Sequence, residues 1–141
     1  MIKALIDTNI ILDFLQDRQP FVEDALRVFE KVDTGEVEGF IAATTITNIY
    51  YIVRRAAGLQ AAKDAIAQIL TDLPICTVNR SVLEPAISGN FKDFEDAVQY
   101  ACGMAYGVDV IVTRDASGFV DAEIPVMSPG ELNRILDSKS I

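Results

Sequence analysis

The chain has 141 residues, half of them hydrophobic, and its 21 acidic and 12 basic side chains give a formal charge of −9. This length predicts one domain, 1–141. No apolar run approaches the roughly 20 residues that span a bilayer, and no secretory signal is recognisable. We therefore expect a cytoplasmic protein without a membrane partner. The lack of histidine excludes Ser-His-Asp and Cys-His catalysis and histidine-ligated zinc, so carboxylates acting with a hard cation remain as plausible chemistry. The excess of acidic residues counts against generic nucleic-acid binding.

The first half of the chain alternates short β-type runs with segments of helical periodicity. The run 2–6 predicts a strand, after which Thr8 or Asn9 can cap a helix that ends before Pro20. Apolar residues at helical spacing between 22 and 32 predict a second helix. The predicted elements that follow are, in chain order, a strand at 40–42, a helix that Gly58 ends, a helix at 59–73, a strand at 75–78 and a helix that ends near Gly89.

The second half continues the alternation. Between 93 and 106, mostly small apolar residues recur at helical spacing and form a narrow stripe suited to close packing on a sheet. A strand is predicted at 109–112, and another at 124–127 that belongs at a sheet edge, because Pro125 cannot donate to a ladder. Ser128 then opens a last helix. The sum predicts an α/β fold, a three-layer α/β/α sandwich with a mainly parallel sheet and right-handed crossovers.

Two of the predicted strands end in an aspartate at a polar turn, Asp7 and Asp115. Ligands of open α/β sheets bind at the carboxyl ends of the strands, so we expect both aspartates to face one crevice. Asp93 and Asp96 lie about 60° apart at the start of a helix and can point into the same pocket, whereas Glu95 falls on the other flank. Clustered carboxylates repel one another unless a cation joins them, which indicates a metal site. The alternative to a metal site is that Asp93 and Asp96 merely complement the helix dipole and that Asp7 and Asp115 form Asx turns.

Three motifs carry a resemblance to a known family: Leu5-Ile6-Asp7-Thr8-Asn9-Ile10, Asp93-Phe94-Glu95-Asp96-Ala97 and Ile111-Val112-Thr113-Arg114-Asp115. In order, spacing and context they resemble the PIN-domain nucleases over nearly the whole chain. The resemblance implies a metal-dependent endoribonuclease that hydrolyses RNA phosphodiester bonds and leaves a 5′-phosphate. It matches Asp7, Asp96 and Asp115 to the catalytic acids and implies that these, together with Asp93, hold one or two Mg²⁺ or Mn²⁺ ions.

The resemblance also implies roles for polar neighbours of these acids. Asn9 and Thr113 look like residues that orient the carboxylates and metal-bound water, although either could be a local cap or turn former. Many family members carry a glutamate where Asn48 stands, and because an amide brings no charge we expect weaker metal binding here, with helix capping as the alternative role of Asn48. Arg114 could contact a substrate phosphate or hold the neighbouring carboxylates.

Partners and rival functions follow from the same residues. Small bacterial members of the family often act as toxins of the VapC kind, are silenced by an antitoxin protein and form homodimers, so the resemblance implies these partners as well. One alternative is a PIN-fold nucleic-acid or protein-binding module whose catalysis is weakened by Asn48, and metal binding would separate the two. A phosphatase of the haloacid-dehalogenase type is disfavoured, because Asn9 stands where that chemistry needs a second acid.

Overall fold

The centre of the molecule is a five-stranded parallel sheet. The computed structural model describes residues 1–139. The strand order is β3-β2-β1-β4-β5, and every neighbouring pair is parallel. The strands are β1 (Ile2–Ile6), β2 (Val37–Ala42), β3 (Ile75–Cys76), β4 (Val110–Val112) and β5 (Val126–Met127).

Helices cover both faces of this sheet. One face packs against α1, α2, α3, α4 and α7, and the other against α5, α6 and a short 3-10 helix. The helices are α1 (Thr8–Leu15), α2 (Val22–Asp33), α3 (Ala43–Ala57), α4 (Leu59–Asp72), α5 (Arg80–Ser88), α6 (Phe94–Ala105) and α7 (Pro129–Ser138), and the 3-10 helix is Ala116–Phe119. The predicted α/β/α sandwich is confirmed.

Burial on both faces explains why the strands read as continuous apolar runs. Along β1, Ala4 and Ile6 pack into the core on one side of the sheet, and Leu5 between them packs into the core on the other side. Successive side chains of a strand point to opposite faces, so a strand covered on both faces needs apolar residues at consecutive positions.

The stripe of small residues on α6 allows that helix to lie very close to β1. A Cβ atom placed on Gly103 would lie 3.1 Å from Leu5 Cδ2 and 3.0 Å from Val108 Cγ2. Such distances are tighter than ordinary van der Waals contact, so an alanine at 103 would require Leu5 or Val108 to shift by a few tenths of an ångström. This contact packs the last turn of α6 against Leu5 of β1 and against Val108.

Several local predictions need correction. The cap of α1 is Asp7 itself, and neither Thr8 nor Asn9 takes that role, because the carboxylate of Asp7 accepts from the backbone N–H of Thr8. Asn48 does not cap α3, since the capping position is Ala42. The edge position of β5 and the capping of α7 by Ser128 are confirmed. Within residues 1–139, no helix is long and apolar enough to cross a membrane.

Candidate active site

An acidic pocket of about 280 Å³ opens at the carboxyl edge of the sheet. The strands β1 and β4 are neighbours, so the residues that follow them meet at this edge. The start of α6 closes the pocket from the side. It is lined by eight residues, none of them lysine or arginine: Asp7, Thr8, Asn9, Leu12, Asp93, Glu95, Asp96 and Asp115.

Asp7 lies at the base of the pocket and is held by three donors. Its Oδ1 accepts from the backbone N of Thr8 at 2.7 Å and from Nε2 of Gln99 at 2.9 Å, and its Oδ2 accepts from Oγ1 of Thr113 at 2.7 Å. Asp7 is only 8% exposed, so these bonds offset much of the cost of burying its charge. A carboxylate accepts about four hydrogen bonds, which leaves Asp7 with capacity for a ligand.

Thr113 joins the two strand-end aspartates. Its hydroxyl donates to Asp7 and accepts from the backbone N of Asp115 at 3.1 Å. The carboxylate of Asp115 then accepts from the backbone N of Ser117 at 3.2 Å and from the Ser117 hydroxyl, which starts the 3-10 helix. Thr113 therefore orients Asp7 and also fixes the turn that carries Asp115.

The first turn of α6 supplies three more carboxyls. Asp93 caps the helix by accepting from the backbone N of Asp96 at 3.0 Å. Burial, together with the charges of Asp7, Asp93, Glu95 and Asp115, raises the pKa of Asp96 to about 7. A carboxyl with such a pKa marks a place where negative charge is crowded and uncompensated by protein cations.

Glu95 corrects the helical-wheel expectation. It lines the pocket although the wheel places it on the flank away from Asp93 and Asp96. Its Oε1 accepts from Nδ2 of Asn48 at 2.5 Å. Burial raises the pKa of Glu95, as do the charges of Asp93 and Asp7, whereas the bond from Asn48 lowers it. At the very start of a helix both flanks border the pocket, which the wheel does not represent.

Sequence reasoning also missed Gln99. It is 1% exposed, and its amide nitrogen reaches Asp7 across 92 positions. A polar residue within the apolar stripe of α6, one turn after Asp96, is the signal that could have revealed it. The buried oxygens Oε1 of Gln99 and Oδ1 of Asn9 have no hydrogen-bond partner among residues 1–139. Asn9 is also one of the residues that line the pocket.

Arg114 pairs with Asp13, which lies outside the acidic pocket, and not with the neighbouring acids of the pocket, while its contact with a substrate phosphate stays a prediction. Its Nε and Nη2 donate to the two carboxylate oxygens of Asp13 at 2.6 and 3.1 Å. Its guanidinium also stacks over the ring of Phe21 at 3.9 Å. Asp13 is 1% exposed, so Arg114 is the counter-charge of a buried carboxylate.

The donors of the acidic pocket suit a hard divalent cation. Carboxylate and amide oxygens are the protein ligands that Mg²⁺ and Mn²⁺ prefer. Within the described part of the chain, no group of three or more acidic or cysteine side chains is already arranged to hold a metal ion. Mg²⁺ commonly keeps several waters and uses only one or two carboxylates, so an open set of acids with an unpaired Asn9 oxygen fits it.

Comparison with known proteins gives consistent matches. A family model described as PIN domain matches residues 3–117. "Ribonuclease VapC1" of Aquifex aeolicus (strain VF5) is 25% identical over 134 residues, which cover 92% of each chain. The fold is similar to that of a toxin-antitoxin complex from Klebsiella pneumoniae, with a TM-score of 0.67, 21% identity and coverage of 89% of this chain and 97% of that chain. It is also similar to Mycobacterium tuberculosis VapC20, described as a sarcin-ricin loop cleaving toxin, with a TM-score of 0.69, 17% identity and coverage of 84% and 94%.

Proposed function

Because the chain belongs to the PIN-domain family, we propose that it is an endoribonuclease that hydrolyses RNA phosphodiester bonds with the help of Mg²⁺ or Mn²⁺. The observation that carries this proposal is the pocket in which Asp7, Asp93, Asp96 and Asp115 meet without a lysine or arginine. The name of the Aquifex relative, a ribonuclease, supports the choice of RNA as substrate.

The charge of the pocket explains why a cation is needed. A phosphodiester is an anion, and carboxylates alone would repel it. Asp7, Asp93, Asp96 and Asp115 would hold the cation, and Asn9 would contribute an amide oxygen. When bound, Mg²⁺ or Mn²⁺ supplies activation of water and stabilisation of the charge that develops on the phosphoryl oxygens.

The residues of the chain itself provide positioning. Thr113 and Gln99 donate to the two carboxylate oxygens of Asp7 and hold that side chain in one orientation. The bond from the Asp115 backbone to Thr113 holds the second strand-end aspartate beside the first. The backbone around both aspartates is fixed by neighbouring parallel strands, so the acids are preorganised before substrate arrives.

We further propose that the protein acts as the toxin of a toxin-antitoxin pair, as a homodimer, in the cytoplasm. The toxin role is supported by the similar solved structure described as a toxin-antitoxin complex and by the one described as a toxin. A partner protein that covers the acidic pocket would silence the enzyme, because access of RNA to Asp7 and Asp96 would be lost.

The test of the nuclease proposal uses a mixed RNA pool with Mg²⁺, Mn²⁺ or EDTA. We expect cleavage that requires the metal and that is abolished in Asp7→Asn, because the substitution removes the charge at the base of the pocket. Asp64→Asn is the matched control, because Asp64 is an exposed aspartate on α4 that does not line the acidic pocket. This variant should cleave like the wild type.

Unchanged cleavage by Asp7→Asn would refute the assignment of the site. Mn²⁺ binding without cleavage of any RNA would favour the non-catalytic binding module instead. Melting curves of each variant verify that loss of activity is not loss of folding.

A further inference from the structure

We propose that Glu95 is a further metal-binding carboxylate of the pocket and that Asn48 positions it, an inference that rests on the proposed function. The two residues lie 47 positions apart in the sequence, on α3 and on the first turn of α6. Nδ2 of Asn48 donates to Oε1 of Glu95 at 2.5 Å. This contact connects α3 to a residue of α6 that lines the pocket.

The hydrogen bond from Asn48 leaves one carboxylate oxygen of Glu95 free to bind a ligand in the pocket. A glutamate side chain near the surface ordinarily samples many rotamers, and a hydrogen bond from an amide restricts it to one direction. Only Oε1 is engaged, so Oε2 keeps its lone pairs for a ligand. Glu95 is among the residues that line the pocket, together with Asp7 and Asp96.

A second observation indicates that the pocket takes a ligand. Oδ1 of Asn9 is buried in the pocket lining and has no hydrogen-bond partner within residues 1–139. A buried acceptor without a partner costs free energy unless a ligand satisfies it. A hydrated divalent cation would serve both this oxygen and the crowded carboxylates, including Glu95, since all of them are hard oxygen donors.

This arrangement changes what Asn48 means for the site. Taken alone, an amide at position 48 predicts weaker metal binding than a carboxylate there would give, because an amide brings no charge. In this structure a carboxylate oxygen lies one hydrogen bond away from the Asn48 side chain. The negative charge is therefore present at this corner of the pocket, but it is supplied by α6 and not by α3.

The experiment measures Mn²⁺ affinity of the full chain by calorimetry, without RNA. We expect Glu95→Gln to weaken Mn²⁺ binding by at least about tenfold, and Asn48→Ala by about tenfold, the usual cost of losing a residue that orients a ligand. In the double variant, Asn48→Ala should add nothing to Glu95→Gln, because the amide acts only through the glutamate.

A matched control is available at the start of α2. Glu23 occupies the same position in the first turn of its helix and is exposed. Glu23→Gln loses the same interaction with the helix dipole and should bind Mn²⁺ like the wild type. Moving the carboxylate, with Asn48→Glu combined with Glu95→Gln, should restore most of the affinity.

Affinity in Glu95→Gln within twofold of the wild type would overturn the inference and leave the nuclease proposal standing. Wild-type protein that binds Mn²⁺ through Glu95 but cleaves no RNA would overturn the nuclease proposal alone. Wild-type protein that binds no Mn²⁺ would overturn both. Melting temperatures measured in EDTA distinguish lost binding from lost folding.

Discussion

Arg114→Met is the substitution whose effect the structure predicts in most detail. It removes the guanidinium that bonds both oxygens of Asp13 and leaves that carboxylate, only 1% exposed, without its principal counter-charge. Loss of one partner of a buried ion pair typically costs about 3–5 kcal/mol. Arg18 lies 3.9 Å from Asp13 and is 37% exposed, so it compensates in part, and we expect a loss near the lower limit, about 3 kcal/mol.

The reverse substitution should cost less. Asp13→Asn leaves Arg114, whose side chain is 28% exposed and can be hydrated, so we expect a loss of about 1–2 kcal/mol. In the double variant the losses should not add, with a coupling of at least about 1 kcal/mol. Arg80→Met breaks an ion pair whose side chains are 88% and 63% exposed, and should change stability by less than about 0.5 kcal/mol.

Urea unfolding in EDTA measures these differences, and RNA cleavage is measured beside it. For a domain of this size a loss of 3 kcal/mol corresponds to a fall in melting temperature of roughly 10 °C. The reasoning is wrong if Arg114→Met stays within about 1 kcal/mol of the wild type. Should such a stable variant also lose RNA cleavage, Arg114 would act on a substrate phosphate, the role that the sequence suggested.

Two further predictions concern Asp96. Its pKa in the folded chain, about 7, lies above the ordinary 3.8, so the folded protein binds more protons than the unfolded chain between these values. The free energy of unfolding of the metal-free protein should therefore fall as the pH rises through that range, and Asp96→Asn should flatten the dependence; an equally steep profile in the variant would show that another group is responsible. Gly118→Ala places a Cβ against Oδ2 of Asp96, the far end of a side chain that can rotate away. We expect the stability to change by less than about 1 kcal/mol and Mn²⁺ binding to weaken about tenfold, because the displaced carboxylate no longer points at the metal. Calorimetry that finds wild-type Mn²⁺ affinity in this variant would show that the new Cβ does not displace the Asp96 carboxylate.

Much of the fold was predictable because its signals are local in the chain. Buried parallel strands such as β1 need apolar residues at consecutive positions, and Gly58 ends α3 with a positive φ of 97°. The bounds were less accurate: β2 begins at Val37, earlier than predicted, and β3 stops at Cys76. Strand ends depend on how far the neighbouring strand extends, which no local pattern encodes.

The candidate site also has features that the local sequence predicted and features that it could not predict. The placement of Asp7 and Asp115 at one edge follows from their positions directly after apolar runs, because parallel strands present their carboxyl ends together. The sequence could not predict that Asn48 bonds Glu95 or that Gln99 bonds Asp7. Each of these contacts joins distant segments.

By itself, therefore, the sequence determined the layered α/β/α fold, the family and the acids that follow the strands, since these depend on periodicity and short motifs. Only the tertiary structure decided that Glu95 faces the pocket and that Arg114 serves Asp13, 101 positions away. The physical reason is that hydrogen bonds and ion pairs depend on distances of a few ångströms between side chains, and those distances are set only when the sheet order and the helix packing are fixed.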